Sequence, residues 1–317
     1  MKLIGYFENF LENEVQLNKT RKNNLDSHIE ALETVIKDFE NLEYKGKEIQ
    51  GSWSHGTIIK PVAENDEYDA DVMITIEEKN EFEPKDYLIE LSRIFKGKDL
   101  YKEKTTLKTR CVRITYAGDC HVDLVPRIKK DNKWYIFNRQ DNVKEITNPE
   151  ELTEWIDEKD TLANYNMKKV IMLIKYLRDY KNTFSIKSVL LNTIIGNLIN
   201  NNSAEKYVDV PTALKNIMED LDNYLQQHEV MPVIHNPKCY EETFDRNWNQ
   251  DLYNNFRNAI HNYSKKIKSA YDEIDKEKSI QAWKDVFGEE FGRYDSKMKE
   301  EIKRDVYKSK PYFTYGF

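Results

Sequence analysis

The chain of 317 residues carries a formal charge of −7, with 39% apolar and 12% aromatic residues and a mean hydropathy of −0.80. It is long enough for two domains or one large bilobed unit and too aromatic for a disordered chain, while its acidic balance argues against stable binding of duplex DNA, which draws its energy from a basic face. No run reaches the roughly eighteen apolar residues a membrane span needs. The N-terminal MKLIGYFENFLENE turns acidic before a signal core develops, and Cys111, Cys120 and Cys239 form neither a CxxC pair nor a disulfide framework; a cytoplasmic protein with reduced thiols and no membrane contact is expected.

Residues 4–41 place Leu25, His28, Ile29, Leu32, Val35, Ile36 and Phe39 three or four apart, which predicts an amphipathic helix. Lys47–Gln50 reads as a short strand entering a loop at Gly51 and Ser52, and 58–66 as a proline-containing connection. From Asp69 the run DADVMITI alternates: Ala70, Val72, Ile74 and Ile76 share one face, and Asp69, Asp71, Met73 and Thr75 the other. A helix over 84–97 follows, then two strand-like runs, 111–116 and 121–128, joined by a turn at 117–120. Asp123 projects from one face of the second run. If that run lies beside the strand of Asp69 in matching register, three carboxylates converge.

After Trp134 the pattern reads as helical to the end, with helices over 167–180, 186–199, 211–227, 245–274 and 279–291 and a loop around 231–237. The expected fold class is α+β in the first half and mainly α in the second. The boundary falls near residue 160, with a substrate cleft between the halves.

Carboxylates two apart on a strand leave the sheet together, so Asp69 and Asp71 can hold divalent metal. Gly51 lets backbone approach a ligand, and Ser52 adds an N–H and a hydroxyl suited to phosphate oxygens. Such a set fits nucleotidyl transfer, in which two hard cations neutralise charge on the transferring phosphorus and the leaving pyrophosphate. Asp69 and Asp71 are assigned as shared ligands, and Asp123 as holder of the metal nearest the attacking hydroxyl. The pairs Glu81/Glu83, Asp220/Asp222 and Glu273/Asp275 have the same spacing but no such context, and are assigned no chemistry. His55 and His121 read as polar contacts, Cys111 and Cys120 as buried thiols. Lys175 interrupts an apolar helix, where it either snorkels or binds triphosphate.

The segments GSWSHGT, DAD and HVDLVP resemble the core of the bacterial cGAS/DncV-like nucleotidyltransferases, or SMODS proteins, of the polymerase-β-like nucleotidyltransferase superfamily. LIKYLRDY with FSIKSVLL, NPKCYEETFDRNW and AWKDVFGEEF are similar to that family's helical lobe. The resemblance implies a core over 1–160 with an N-terminal helix, and a lobe over 161–317 completing a central cleft. It implies a synthase that makes a cyclic di- or trinucleotide messenger from nucleoside triphosphates in anti-phage (CBASS) signalling, with two Mg2+ ions or Mn2+ in their place. Gly51 and Ser52 become the phosphate loop, and Asp69, Asp71 and Asp123 the catalytic acids. Lys175 falls near the donor phosphates, and Thr183 and Phe184 near positions that contact phosphate or stack on a base, with ordinary core packing the other reading of Phe184. The implied partners are nucleoside triphosphates, a downstream effector activated by the cyclic nucleotide, and a ubiquitin-like transferase or other operon regulator acting on the C-terminal KSKPYFTYGF. No Cys/His insertion resembles the zinc element of animal DNA sensors. Transfer to an RNA 3′ end or a protein acceptor is the alternative activity; an inactive nucleotide-binding scaffold is the alternative class, disfavoured by the three acids.

Overall fold

Residues 4–41 form two helices where the sequence pattern predicts one. In the computed structural model, which describes residues 1–39, 41–63, 66–118, 120–200 and 204–293, α1 (Ile4–Phe10) runs into a π turn at Leu11–Val15. The chain then extends at Gln16, which bridges to Ile59, and restarts as α2 (Lys19–Lys37). Asn18 marks the break: its side chain accepts the Arg21 N–H, satisfying an end that would otherwise be orphaned. The two helices serve different cores, which periodicity alone does not reveal. The expected C-terminal segment 308–317 lies outside the described residues.

The sheet is built from β1 (Tyr44–Gln50), β2 (Tyr68–Ile76), β3 (Thr105–Leu107), β4 (Val112–Tyr116), β5 (Cys120–Lys130), β6 (Lys133–Asn138) and β7 (Val143–Thr147). A single turn, α3 (Gly51–Ser54), leaves β1, and α4 (Pro84–Lys96) follows β2. Strand order is β1-β2-β5-β4-β3, with β6 on the far part of β5 and β7 beyond it; β2 and β5 are parallel and the other neighbours antiparallel. One face, with Val72, Ile74, Ile114, Val122 and Leu124, is buried under Leu25, Ile29 and Leu32 of α2 and Leu88 and Leu91 of α4.

The hairpin β6–β7 corrects the expectation of continuous helix after Trp134. Trp134 to Phe137 are aromatic and β-branched, a run too short for periodicity to separate strand from helix. The turn is made by Asn138, whose side-chain oxygen accepts the N–H groups of Gln140 and Asp141, and by Asn142 at φ 55.

The second half contributes α5 (Pro149–Leu162), α6 (Met167–Lys181), α7 (Ser188–Leu198) and α8 (Val210–Gln227). A small hairpin, β8 (His235–Asn236) and β9 (Cys239–Thr243), replaces part of the expected loop, and α9 (Gln250–Asp272) and α10 (Lys276–Phe287) complete the lobe. Gly196 lets α7 close on α5, since a Cβ there would lie 2.4 Å from the Trp155 ring. The core of this half also takes in α1: the Phe7 ring lies 4.8 Å from Trp283 and 4.9 Å from Phe291, both edge-on. No helix among the described residues is long and apolar enough to cross a membrane.

Candidate active site

Four polar side chains line up across four adjacent strands. Gln50 of β1 pairs with Asp71 of β2, Asp71 with Asp123 of β5, and Asp123 with Arg113 of β4, each as direct Cα partners. Asp69, two residues before Asp71, is the partner of His121. Alternation sends this set to the face opposite α2 and α4, because Val72, Val112, Ile114, Val122 and Leu124 occupy the other face.

These residues open into a cavity of about 500 Å3. Gln50, Gly51, Ser52, Asp69, Asp71 and Asp123 form one wall, and Lys187, Ser188, Val189, Phe244 and Arg246 face them from the helical half. Met73, Val125 and Ile136 make a small apolar floor. Gly51 stands where the strand turns into α3, at φ +71, and a Cβ on it would lie 2.2 Å from Asp71 Oδ2. Both the backbone and the neighbouring carboxylate therefore require glycine.

The electrostatics separate the acids. Burial, with the charges of Asp69 and Asp123, pushes the Asp71 carboxyl up to about 7. Burial opposes the Asp69 charge too, but its pairing with His121 and the charges of Lys175 and Arg113 hold it below the usual range. His121 has Nδ1 2.9 Å from Glu67 Oε2 and Nε2 3.5 Å from Asp69 Oδ2. Burial works against its charge, yet Asp69 prevails and raises it. Asp123 is held by Arg113, whose Nε and Nη2 donate to its two oxygens at 2.8 and 2.7 Å.

Both Asp123 oxygens are engaged in that fork, and no group of three His, Cys, Asp or Glu side chains stands ready to hold a metal ion among the described residues. The donor set nevertheless fits a hard divalent cation. It offers carboxylate oxygens only, crowded enough that Asp71 resists ionising, and beside them the buried Gln50 Oε1 finds no hydrogen-bond partner among the described residues.

Three expected site residues are elsewhere. Lys175 is buried and does not line the cavity; its Nζ donates to the Thr57 carbonyl at 2.8 Å, tethering the loop after α3 from below. Thr183 has its hydroxyl 3.4 Å from that of Tyr263. Phe184 is packed in the helical core, its ring 5.7 Å from Phe256 and 6.3 Å from Tyr263. Neither Thr183 nor Phe184 lines the cavity. The extended link between α6 and α7 turns Phe184 and Ile186 inward together, so the ring serves packing. His55 lines the cavity with Nδ1 3.2 Å from the Asn192 amide, and burial plus the charges of Lys175 and Lys168 lower it to about 4.

Lys187 and Arg246 are cavity residues that sequence reasoning did not single out; Arg110 and Arg113, also at the cavity, belong to the basic run 102–113, a segment of positive charge that a triphosphate could use. For Arg113 a signal existed: it lies between Val112 and Ile114, so alternation alone puts it on the face of the acids.

The Second Messenger Oligonucleotide or Dinucleotide Synthetase (SMODS) domain model matches residues 1–160. A c-di-GMP synthase of Roseivirga ehrenbergii is 36% identical over 116 residues, covering 35% of this chain and 30% of that protein, so the match spans under a third of the relative's length. Among solved structures, Escherichia coli MS115-1 CdnC with ATP superposes with a TM-score of 0.72 at 19% identity, covering 91% of this chain and 98% of that one. Bradyrhizobium diazoefficiens CdnG with GTP gives 0.75 at 17% identity, covering 93% and 98%. The Vibrio cholerae DncV cyclic AMP-GMP synthase with nonhydrolyzable GTP gives 0.71 at 14%, covering 90% and 95%. These neighbours establish the α+β, polymerase-β-like nucleotidyltransferase fold with its C-terminal helical lobe. With half of its length matched by the family model, the chain belongs to the SMODS family, the bacterial cGAS/DncV-like nucleotidyltransferases.

Proposed function

We propose that the protein is a nucleotidyltransferase that joins nucleoside triphosphates through successive phosphodiester bonds into a cyclic di- or trinucleotide messenger, releasing pyrophosphate. The observation that carries this reading is the in-register pair Asp71–Asp123 beside Asp69 and Gly51, at one end of a cavity of about 500 Å3. That volume falls within the roughly 300–1,000 Å3 usual for small-molecule and cofactor sites. Names among the relatives support the product class: a c-di-GMP synthase, and DncV bound to a linear intermediate.

Asp69, Asp71 and Asp123 would hold Mg2+ or Mn2+, which when bound lowers the pKa of the attacking sugar hydroxyl and neutralises the leaving pyrophosphate. The remaining work falls to the chain itself. The Ser52 hydroxyl and the backbone amides at the start of α3 grip the donor's terminal phosphates. Arg110, Lys187 and Arg246 add positive charge around the polyphosphate. Met73, Val125 and Ile136 give an apolar surface for a base or ribose and keep water from that side. Closing the ring requires the linear intermediate to turn, so that its free hydroxyl meets the same acids; an open cleft shared by the two halves permits that exchange.

In this reading residues 1–160 carry the chemistry and 161–317 complete the cleft. The setting is cytoplasmic anti-phage (CBASS) signalling with a cyclic-nucleotide-activated effector. The CdnC:HORMA-deltaN complex supports, apart from that effector, a regulator protein as partner. The test is incubation of the full chain with labelled ATP, GTP, CTP and UTP and Mg2+, followed by phosphatase treatment and mass spectrometry. A phosphatase-resistant cyclic product is expected. Absence of product from every nucleotide pair, or label entering added RNA or protein instead, rejects the reading.

A further inference from the structure

The cavity presents Asp123 already bound. Arg113 faces it across β4 and β5 and grips both its oxygens, at 2.8 and 2.7 Å, a fork that takes a lone pair of each and so competes with a cation for the carboxylate. The two partners are unequally exposed. The Arg113 side chain is 28% accessible and the Asp123 side chain 9%, so an anion entering the cavity meets the guanidinium before a cation meets the acid. A second seat for the guanidinium exists nearby, since Nη1 is 3.9 Å from Glu67 Oε2.

We propose that Arg113 is a positioning residue that withholds Asp123 from the divalent cation until a nucleoside triphosphate draws the guanidinium away. This rests on the nucleotidyl-transfer reading of the site. A triphosphate offers more negative charge than one carboxylate and the same planar, bidentate match to a guanidinium. Removing Arg113 alone would leave Asp123 buried and uncompensated, which is strongly unfavourable. The guanidinium therefore moves to phosphate, and the cation arrives at Asp123, as a single exchange. Cation and triphosphate then bind cooperatively, and by linkage each tightens the other by the same factor. Phosphate oxygens that bind the cation directly couple the two as well, so the mark of the exchange is the part of the coupling that is lost when the fork is loosened.

The experiment is a double-mutant cycle on the full chain with Mn2+ as probe, free Mn2+ being read by electron paramagnetic resonance without nucleotide. It compares wild type, Arg113→Gln, Asp123→Asn, the double variant and Asp71→Asn, with melting curves to show that each is folded. In wild type, Asp123→Asn should change nucleotide-free Mn2+ affinity by less than about twofold, whereas Arg113→Gln should tighten it about tenfold and the double variant should lose that gain. Affinity for a nonhydrolysable GTP analogue should rise with Mn2+ in wild type and respond far less in Arg113→Gln. Arg113→Lys, which keeps the charge but not the fork, should fall between and carries the comparison if Arg113→Gln does not fold. Unchanged or weaker Mn2+ binding on loosening the fork overturns the proposal, as does a wild-type Mn2+ site already dependent on Asp123. A Mn2+ site that needs Asp71 but ignores Arg113 sinks this inference alone. Absence of any Asp71-dependent Mn2+ binding sinks the metal reading of the site as well.

Discussion

Gly51 and Asp71 occupy the same small volume: a methyl group on the glycine would lie 2.2 Å from the carboxylate oxygen Oδ2. The approach ties the phosphate loop to the acid by direct contact, so neither can shift without the other. Gly51→Ala must displace Asp71 and strain a backbone at φ +71, which by itself costs about 1–2 kcal/mol. We expect a modestly lower melting temperature and at least a hundredfold loss of product formation, about 2.7 kcal/mol in transition-state terms. Calorimetry and a radiolabelled product assay measure the two; near wild-type turnover would show that the acid is not fixed through the loop.

Asp71 gives a signed pH dependence. Its carboxyl rises from 3.8 to about 7 on folding, so its contribution to stability is intact below about pH 4 and is lost as pH climbs through about 7. Asp71→Asn removes the ionisation that burial and its acidic neighbours disfavour. The variant should be more stable than wild type at pH 8 without metal, by about 2–4 kcal/mol, with the gap closing toward pH 4. Thermal unfolding in chelator from pH 4 to pH 8 reads this directly. A pH-independent difference would contradict the assignment.

Lys175 separates tethering from ligand binding. Burial, reinforced by the charge of Arg178, drives its ammonium down to about 7, and its proton donation goes to the Thr57 carbonyl. A base depressed on folding loses its stability contribution as pH falls through about 7, so Lys175→Met should melt relatively higher at pH 6 than at pH 9. Without the tether the loop at 51–57 loses its anchor, and kcat/KM should fall about tenfold. Steady-state kinetics with unchanged constants would remove Lys175 from the machinery.

Phe184 separates core packing from base stacking. As a core ring against Phe256 and Tyr263, its truncation in Phe184→Ala should cost about 3–5 kcal/mol of stability. The proportion of ATP to GTP incorporated should stay as in wild type at a temperature where both proteins are folded. A changed base preference would return the ring to the nucleotide.

What was legible in the sequence follows from period. The run from Asp69 to Ile76 alternates cleanly, so its faces could be assigned, and the stripe of Met167 to Tyr180 was long enough to identify a helix. Gly51 could be singled out because a glycine at a strand end has few explanations. The parallel pairing of β2 with β5 was not legible, since no local pattern encodes register between strands some fifty residues apart. The hairpin at 133–147 was read as helix for lack of length. The pairing of Arg113 with Asp123 was not legible because the partner lies across the sheet rather than along the chain, and the choice between stacking and core packing for Phe184 was not legible because a resemblance fixes position in sequence, not the direction of a ring.

The insertion of α1 among α10 and the residues beyond it carries a consequence for biosynthesis. Phe7 leaves the ribosome long before Trp283 and Phe291, the rings that enclose it. The nascent chain therefore carries Phe7 without these two rings until α10 has been made, while the sheet, complete by Thr147, is free to assemble early. The helical lobe closes around α1 only once α10 has been made, after every residue that lines the catalytic cavity.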